Sequence, residues 1–370
     1  MKYYIIAGEA SGDLHGANLI KALKQIDSEA EFRVWGGDLM EAENSVTNIN
    51  HIKYRAFMGF VEVLKNIFTI KKLIRFAKQD IEQFKPNRLI FIDYPGFNLR
   101  IAAWAHEIGL ETHYYISPKV WAWNTKRALK IKRIVTYMYV IFPFEINFYK
   151  NYDYKVHYVG NPLADAIEQF TPDLNFKSEH NLTEKPIIAL LPGSRKQEID
   201  TILPIMLEGI ESFKSNFQMV LAVAPNFDTS YFEKFEKMRS VHLVIGNTYN
   251  LLSVSAAALV TSGTATLETA LLNVPQVVCY KTSALNYSLA KRLIKIPFIS
   301  LVNLIAEKEI VRELIQNNFN KTQTHQELQR ILSEPGRSEM LKNYSELITI
   351  VGPSGASKRT AELITNPSKQ

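Results

Sequence analysis

Four short stretches carry the residue types that chemistry needs, and each follows a run of apolar, β-prone residues. The first is Gly8–Gly16 (GEASGDLHG), with glycine at every fourth position. It matches neither the G-x-G-x-x-G fingerprint nor a P-loop. Two acids in such a loop repel phosphate and suit sugar hydroxyls, which makes Gly8, Glu9, Ser11, Gly12 and Asp13 candidate sugar-binding residues. Ser11 or Asp13 can equally cap the next helix. The second stretch is Ile92–Asn98 (IDYPGFN). An aspartate closing an apolar strand points Asp93 at a ligand and lets it act as a general base toward a hydroxyl; an Asx-turn is the structural alternative. The third is Leu191–Arg195 (LPGSR), where Gly193 allows close backbone approach, Ser194 donates, and Arg195 offers a planar fork suited to phosphate oxygens. A surface arginine beside a turn is the other reading. The fourth is Thr261–Glu268 (TSGTATLE). Ser262, Gly263 and Thr264 open a helix whose free N–H groups and dipole favour a diphosphate. Glu268, one turn in, can accept ribose hydroxyls or cap its own helix.

The elements that must position these loops alternate along the chain. Strands are expected near Tyr3–Ala7, Phe32–Trp35, Leu89–Asp93, Thr112–Ile116, Tyr137–Phe142 and Val156–Val159. A second set falls near Ile187–Leu191, Met219–Val223, His242–Ile245, Ala258–Thr261 and Val277–Tyr280. Helical patterns such as Leu14–Ile26, Asn98–Glu107, Glu198–Phe213 and Thr266–Leu272 lie between them. Continuous apolar strands alternating with helices predict parallel sheets covered on both faces. Two sets of five or six strands predict an α/β protein of two doubly wound, Rossmann-like domains facing a central cleft. The domains expected are 1–165 and 166–345, with 346–370 as a terminal segment whose helix, near Ala356–Ile364, returns to the first domain. That helix either packs back in cis or exchanges with a second copy, so a monomer and a homodimer both fit. In such folds ligands bind beyond the carboxyl ends of the strands. A nucleotide-sugar donor therefore belongs on the second domain and a hydroxyl acceptor on the first.

Composition narrows the field. The chain has 370 residues, 46% hydrophobic and 22% charged, which is ordinary for a globular protein. A single cysteine, Cys279, excludes an intrachain disulfide framework and a multi-cysteine zinc site. His15, His106 and His113 lack metal-ligand spacing, and Ser262 lacks the G-x-S-x-G elbow of a hydrolase. The aromatic stretch Tyr114–Trp123 (YYISPKVWAW) can stack bases or pack, and no nucleic-acid motif accompanies it. Nucleic acid is therefore not an expected partner. The opening MKYYIIAGEASGD is too short in apolar residues for a secretory segment, which points to the cytoplasm. The excess of 43 basic over 37 acidic residues, +6, suits an anionic ligand or an anionic membrane surface.

Taken together and in this order, the motifs strongly resemble the lipid-A-disaccharide synthase family of inverting glycosyltransferases with the GT-B fold. The matching stretches are Gly8–Gly16, Met58–Leu64 (MGFVEVL), Ser117–Trp123 (SPKVWAW), Leu191–Arg195, Ser262–Glu268, Ala290–Leu293 (AKRL) and Ser300–Ala306 (SLVNLIA). The resemblance implies transfer of a sugar from UDP-2,3-diacylglucosamine to the 6-hydroxyl of 2,3-diacylglucosamine 1-phosphate (lipid X), giving a β-1,6 disaccharide phosphate and UDP. It implies Asp93 as the essential carboxylate and base, Arg195 at the diphosphate or acceptor phosphate, Asn303 as a further cleft residue and Glu268 at the ribose. No metal or other cofactor is implied, so loop dipoles and Arg195 must stabilise the departing UDP. One departure is visible: Gly160-Asn161-Pro162-Leu163 has Asn161 where many family members carry histidine. The alternatives are a GT-B relative acting on another UDP-sugar, such as an epimerase or a peptidoglycan glycosyltransferase, and a non-catalytic lipid- or nucleotide-binding protein.

Acylated substrates give meaning to Phe57–Ala77 (FMGFVEVLKNIFTIKKLIRFA). Phe57, Phe60, Val61, Leu64, Ile67 and Phe68 recur at helical spacing, with further apolar residues off that stripe and Lys65, Lys71 and Lys72 among them. The segment is too interrupted to span a bilayer. It is expected to dock on one, on the inner face of the inner membrane, or else to be an ordinary buried helix.

Overall fold

The computed structural model describes residues 1–51, 67–225, 227–235, 240–284, 287, 288, 291 and 296–366. It divides into two compact units, Met1–Asp165 together with Pro353–Gln370, and Ala166–Gly352.

The first unit is built on β1 (Lys2–Ala7), β2 (Glu31–Trp35), β3 (Val46–Asn48), β4 (Arg88–Ile92), β5 (Thr112–Tyr115), β6 (Tyr137–Val140) and β7 (His157–Tyr158). These form one parallel sheet in the order β3-β2-β1-β4-β5-β6-β7. Side chains on a strand alternate between faces, and β1 shows why both faces must be covered. Tyr3, Ile5 and Ala7 join a core with Leu19, Ile20 and Leu23 of the Ala10–Ile26 helix. Tyr4 and Ile6 join the opposite core, with Ala77 and Ile81 of the Ile67–Phe84 helix, Ile101 and Ala105 of the Pro95–Glu107 helix, and Ala128 and Ile131 of the Arg127–Ile134 helix. No charge interrupts β1 between Tyr3 and Ala7 because no position there meets water.

The second unit repeats the plan with β8 (Ile187–Leu191), β9 (Gln218–Val223), β10 (Val241–Ile245), β11 (Ser255–Thr261), β12 (Gln276–Tyr280) and β13 (Glu313–Ile315), in the order β10-β9-β8-β11-β12-β13. In both sheets the order reverses beside the first strand, between β1 and β4 and between β8 and β11. These are the switch points where doubly wound sheets leave room for a ligand.

Two strands escaped the sequence reading. Val46–Asn48 and Glu313–Ile315 are three-residue edge strands, too short to show a pattern. The terminal segment also starts later than 346: Gly336–Val351 is one continuous helix of the second unit, and the chain leaves it at Gly352. The Ala356–Thr365 helix then packs on the Ala10–Ile26 helix through Ala361 and Ile364. Its start is fixed by Asp165, whose carboxylate accepts the N–H groups of Gly355 (2.6 Å), Ala356 (3.0 Å) and Ser357 (3.1 Å). Arg88 donates to Ile364 O at 3.0 Å, and Arg359 donates to Val159 O at 2.7 Å. Among the described residues no helix is long and apolar enough to cross a membrane.

Candidate active site

In the first unit the carboxyl ends of β1, β4 and β5 bring the first two predicted loops together. The chain turns sharply after β4: Asp93 has φ +44° and Tyr94 φ +49°, two consecutive non-glycine residues in the left-handed region. Such backbone is costly, about 1–3 kcal/mol per residue, and persists only where neighbours enforce it. Here they do. Tyr114 O–H donates to the Asp93 carbonyl at 2.6 Å, Asn98 Nδ2 donates to it at 2.8 Å, and Asp93 N–H donates to Tyr115 O at 3.1 Å. The Tyr94 ring lies where a Cβ on Gly8 would project, so the GEASGD loop can pass only as glycine. The Asp93 carboxyl is left partly buried, and burial raises its pKa from 3.8 to about 6. The charge of Lys119 lowers it, that of Glu9 raises it, and the Tyr94 N–H lowers it. The result is a carboxylate that ionises close to neutrality, as a general base requires.

The rest of the GEASGD loop separates into two kinds of residue. Glu9, half-buried, is the N-cap of the Ala10–Ile26 helix and faces Asp93 closely enough to act on its charge; Ser11 is exposed beside it. Gly12 is packed against Ala7. Asp13 differs from the expectation of a sugar ligand. It is buried, and its carboxylate accepts N–H groups from Gly37 (2.7 Å), Leu39 (3.0 Å) and Met40 (3.1 Å). It holds the turn after β2, and those three bonds keep it from serving sugar hydroxyls.

In the second unit the loops after β8, β11 and β12 lie at one sheet end. Gly193 has φ +108°, and a Cβ there would come within 2.5 Å of Glu198 Oε2. Arg195 is the N-cap of the Lys196–Gly209 helix, more than half exposed, and pairs with Glu198 at 2.9 Å. Ser194 beside it is exposed. Gly263 caps the Thr264–Leu271 helix with no side chain on the free N–H groups, and Gly263 and Thr264 face solvent. That helix end is open to an anion. Ser262 is turned elsewhere, its Oγ donating to Ile299 O at 2.8 Å. Glu268 is partly buried and accepts Tyr249 O–H at 2.8 Å; burial pushes its pKa up and the tyrosine bond lowers it.

Asn303 is the second correction. Expected at the cleft, it is fully buried, and both ends of its amide are used. Oδ1 accepts the N–H groups of Ile310 (2.7 Å) and Val311 (3.0 Å), while Nδ2 donates to Val311 O (2.8 Å) and Glu313 Oε1 (2.9 Å). Glu313 in turn accepts the N–H groups of Ile299 and Ser300, both at 2.9 Å. Ser262, Ile299, Glu313 and Asn303 thus form one scaffold that fixes the loop before the Leu301–Ala306 helix.

These two sites sit in a chain whose full length has known counterparts. A family model described as Lipid-A-disaccharide synthetase matches residues 3–365. The chain belongs to the lipid-A-disaccharide synthase family. It is 36% identical to a lipid-A-disaccharide synthase of Trichlorobacter lovleyi, covering 99% of this chain and 97% of the relative. It is 37% identical to one of Syntrophus aciditrophicus, covering 96% and 95%. Among solved structures, the fold resembles a UDP-GlcNAc 2-epimerase of Methanocaldococcus jannaschii in complex with UDP-GlcNAc and UDP (TM-score 0.65, 14% identity, 99% of both chains). It also resembles a UDP-GlcNAc 2-epimerase of Neisseria meningitidis bound to UDP-GlcNAc (TM-score 0.67, 15% identity, 100% of both chains). At these identities the likeness shows the GT-B fold alone. Family membership makes the chain a glycosyltransferase. It leaves the placement of its residues to the geometry above.

Of the bilayer-docking residues, Phe57, Phe60, Val61 and Leu64 lie outside the described residues, as does most of AKRL. Ile67 begins the Ile67–Phe84 helix, and Phe68 is 81% exposed. Asn161 is buried, and its Oδ1 accepts the N–H of Leu163 at 3.0 Å. The sequence reading missed Tyr94, Lys119, Glu198, Tyr249 and Glu313. Only Tyr94 and Lys119 had a signal, since both stand inside stretches already singled out.

Proposed function

We propose that this chain transfers 2,3-diacylglucosamine from UDP-2,3-diacylglucosamine to the 6-hydroxyl of 2,3-diacylglucosamine 1-phosphate. The observation that carries the chemistry is Asp93, a partly buried carboxylate on an enforced left-handed turn with a pKa of about 6. In this reading the first unit takes the acceptor. Asp93 accepts the proton of the 6-hydroxyl as that oxygen forms its bond to C1 of the donor sugar. The bond from C1 to the UDP oxygen breaks on the opposite face, which inverts the anomeric centre. The second unit takes the donor. The open N-terminus of the Thr264–Leu271 helix, with Gly263 and Thr264, and the Lys196–Gly209 helix end, with Gly193 and Ser194, receive the diphosphate. Arg195 exchanges Glu198 for a phosphate oxygen and spreads the charge of departing UDP. Glu268 accepts a ribose hydroxyl. No metal enters this scheme, because N–H groups and Arg195 supply the stabilisation.

Acylated substrates place the enzyme at a lipid surface, and we extend the reading to a peripheral protein on the inner face of the inner membrane. Lys71 and Lys72 on the Ile67–Phe84 helix, beside exposed Phe68, support contact with anionic lipid.

The test is release of UDP and formation of a disaccharide phosphate from the two acylated sugars in mixed micelles. Turnover of unacylated UDP-GlcNAc at the same rate, or tight UDP-sugar binding with no product, would overturn the reading.

A further inference from the structure

Lys119 and Arg127 both stand on the stretch that follows β5, the strand paired with β4. That stretch begins where Asp93 N–H donates to Tyr115 O, at the carboxyl end of β5. It ends in the Arg127–Ile134 helix, which runs back along the sheet. Thr112, opening β5, donates to Ile134 O at the far end of that helix. Arg127, its first residue, therefore lies at the same end of the sheet as Asp93.

The stretch is fastened at several points. Ser117 Oγ and the buried Tyr149 hydroxyl share a hydrogen bond at 2.7 Å. The Trp121 ring meets Phe144 edge-on at 4.9 Å and Phe142 at 6.3 Å. Asn124 N–H donates to Val120 O at 2.9 Å, and Arg127 N–H donates to Asn124 O at 3.0 Å. Lys119 is thus held between two anchors, with its side chain exposed, while that of Arg127 is half-buried. Among the described residues neither side chain forms a hydrogen bond or an ion pair. The other half-buried arginines described in this unit, Arg33, Arg88 and Arg359, all donate to protein oxygens. A guanidinium taken partly out of water with nothing to donate to is costly unless a ligand supplies the acceptor. Both cations act on the surroundings of the proposed base. The charge of Lys119 favours ionised Asp93, and that of Arg127 acts on Tyr114, whose hydroxyl is 2.6 Å from Asp93 O.

We propose that Arg127, with Lys119 beside it, binds the phosphate of the acceptor sugar, so that the first unit selects a phosphorylated acceptor. The inference rests on the acceptor reading above and deepens it. With the 6-hydroxyl at Asp93, the phosphate on C1 stands across one sugar ring. The planar fork of Arg127 donates to two phosphate oxygens; Lys119, exposed and screened by water, contributes the smaller share. The cations have a second effect. A phosphate brought near Asp93 alone would hold the proton on its carboxyl, and neighbouring positive charge keeps the base ionised as the acceptor arrives.

The experiment is steady-state kinetics of the full chain in mixed micelles at saturating donor, with 2,3-diacylglucosamine 1-phosphate and with the same sugar lacking its phosphate. The native chain is expected to lose about tenfold or more in kcat/KM when the phosphate is absent. Arg127→Gln is expected to raise the KM for the phosphorylated acceptor by about tenfold or more and to leave kcat and the donor KM within about threefold. On the unphosphorylated acceptor it is expected to match the native chain. Arg127→Lys keeps the charge and the packing stem, and should lose only a few-fold, again on the phosphorylated acceptor alone. Lys126→Gln, which removes an exposed charge next door, should match the native chain on both. Equal losses on the two acceptors, or an unchanged acceptor KM in folded Arg127→Gln, would overturn the proposal. So would a rise confined to the donor KM, which would place the guanidinium at UDP. No product from the native chain with either acceptor would overturn the acceptor reading itself, and this inference with it.

Discussion

The two units share a topology and differ in how they hold their charged groups. In the first, the proposed base is constrained and desolvated: Asp93 sits on an enforced turn, fixed by Tyr114 and Asn98, with its ionisation displaced toward neutrality. In the second, the groups proposed to hold the donor are open: Gly263, Thr264, Ser194 and Arg195 face solvent, and among the described residues Arg195 forms an ion pair only with Glu198 on its own helix. The contrast matches two tasks. A base must be poised before substrate arrives, and displaced ionisation requires burial. A diphosphate is already charged and heavily hydrated, so it is met by N–H groups and a cation that wait in water and exchange partners on binding.

The comparison breaks first at Asp93. Asp93→Asn should lower kcat about 10³-fold, within the range for a lost general base, while leaving UDP-sugar affinity within a few-fold, as equilibrium titration would show. Near-normal turnover would remove the contrast. The same variant carries a stability signature. The folded carboxyl ionises at about 6 and the unfolded one near 3.8. Between those values the fold holds a proton that the unfolded chain has released, so the contribution of Asp93 to native stability is greatest below pH 4 and falls as pH rises to 6. Asp93→Asn should therefore be more stable than the native chain at pH 8, by about 3 kcal/mol, and about equal at pH 4. Calorimetry at the two pH values reads this directly.

Arg195→Ala tests the open half. Its expected effect is about 10–100-fold on kcat/KM, from lost charge stabilisation at an exposed group. Arg195→Lys should recover part of it, because a point charge replaces a bidentate fork. A fall in melting temperature instead would mean that the pair with Glu198 is structural. Asn303→Ala should do the reverse. It strands the N–H groups of Ile310 and Val311 in a buried place, which costs about 2–3 kcal/mol of stability in denaturant titration. The variant that remains folded should lose far less turnover than Asp93→Asn.

The smallest expected effect refines the first unit. The charge of Lys119 lowers the Asp93 pKa. Lys119→Met should move the acid limb of the kcat/KM profile, expected near pH 6, to higher pH by a fraction of a unit. An unmoved limb would detach it from Asp93.

How much of this was legible in the sequence follows from the physics of each signal. Strands buried on both faces announce themselves as apolar runs, and Ile187–Leu191 was read to the residue. Three-residue edge strands such as Val46–Asn48 have no run to read. The loops were found because ligands gather where strands end, yet that rule cannot say which polar residue in a loop serves the ligand and which serves the chain. Asp13 and Asn303 show the limit. A carboxylate and an amide in ligand-ready stretches turned out to be occupied by N–H groups 24 to 27 and 7 to 8 residues away. Spacing carries no trace of such partners, since only the fold decides which backbone groups are left without water. Asp93 was legible because its position, immediately after a buried strand, is itself the cause of its displaced ionisation.

The return of the chain after Gly352 has a consequence for how this protein is made. The Ala10–Ile26 helix and the carboxylate of Asp165 both wait for residues near 355–365. While a ribosome is still producing the second unit, Leu19, Ile20 and Leu23 lack part of their cover, and Asp165 lacks the three N–H groups it will hold. The unit that is synthesised first is thus completed last, and its nascent form offers an apolar groove and an unsatisfied carboxylate to any chaperone that reads unfinished surfaces.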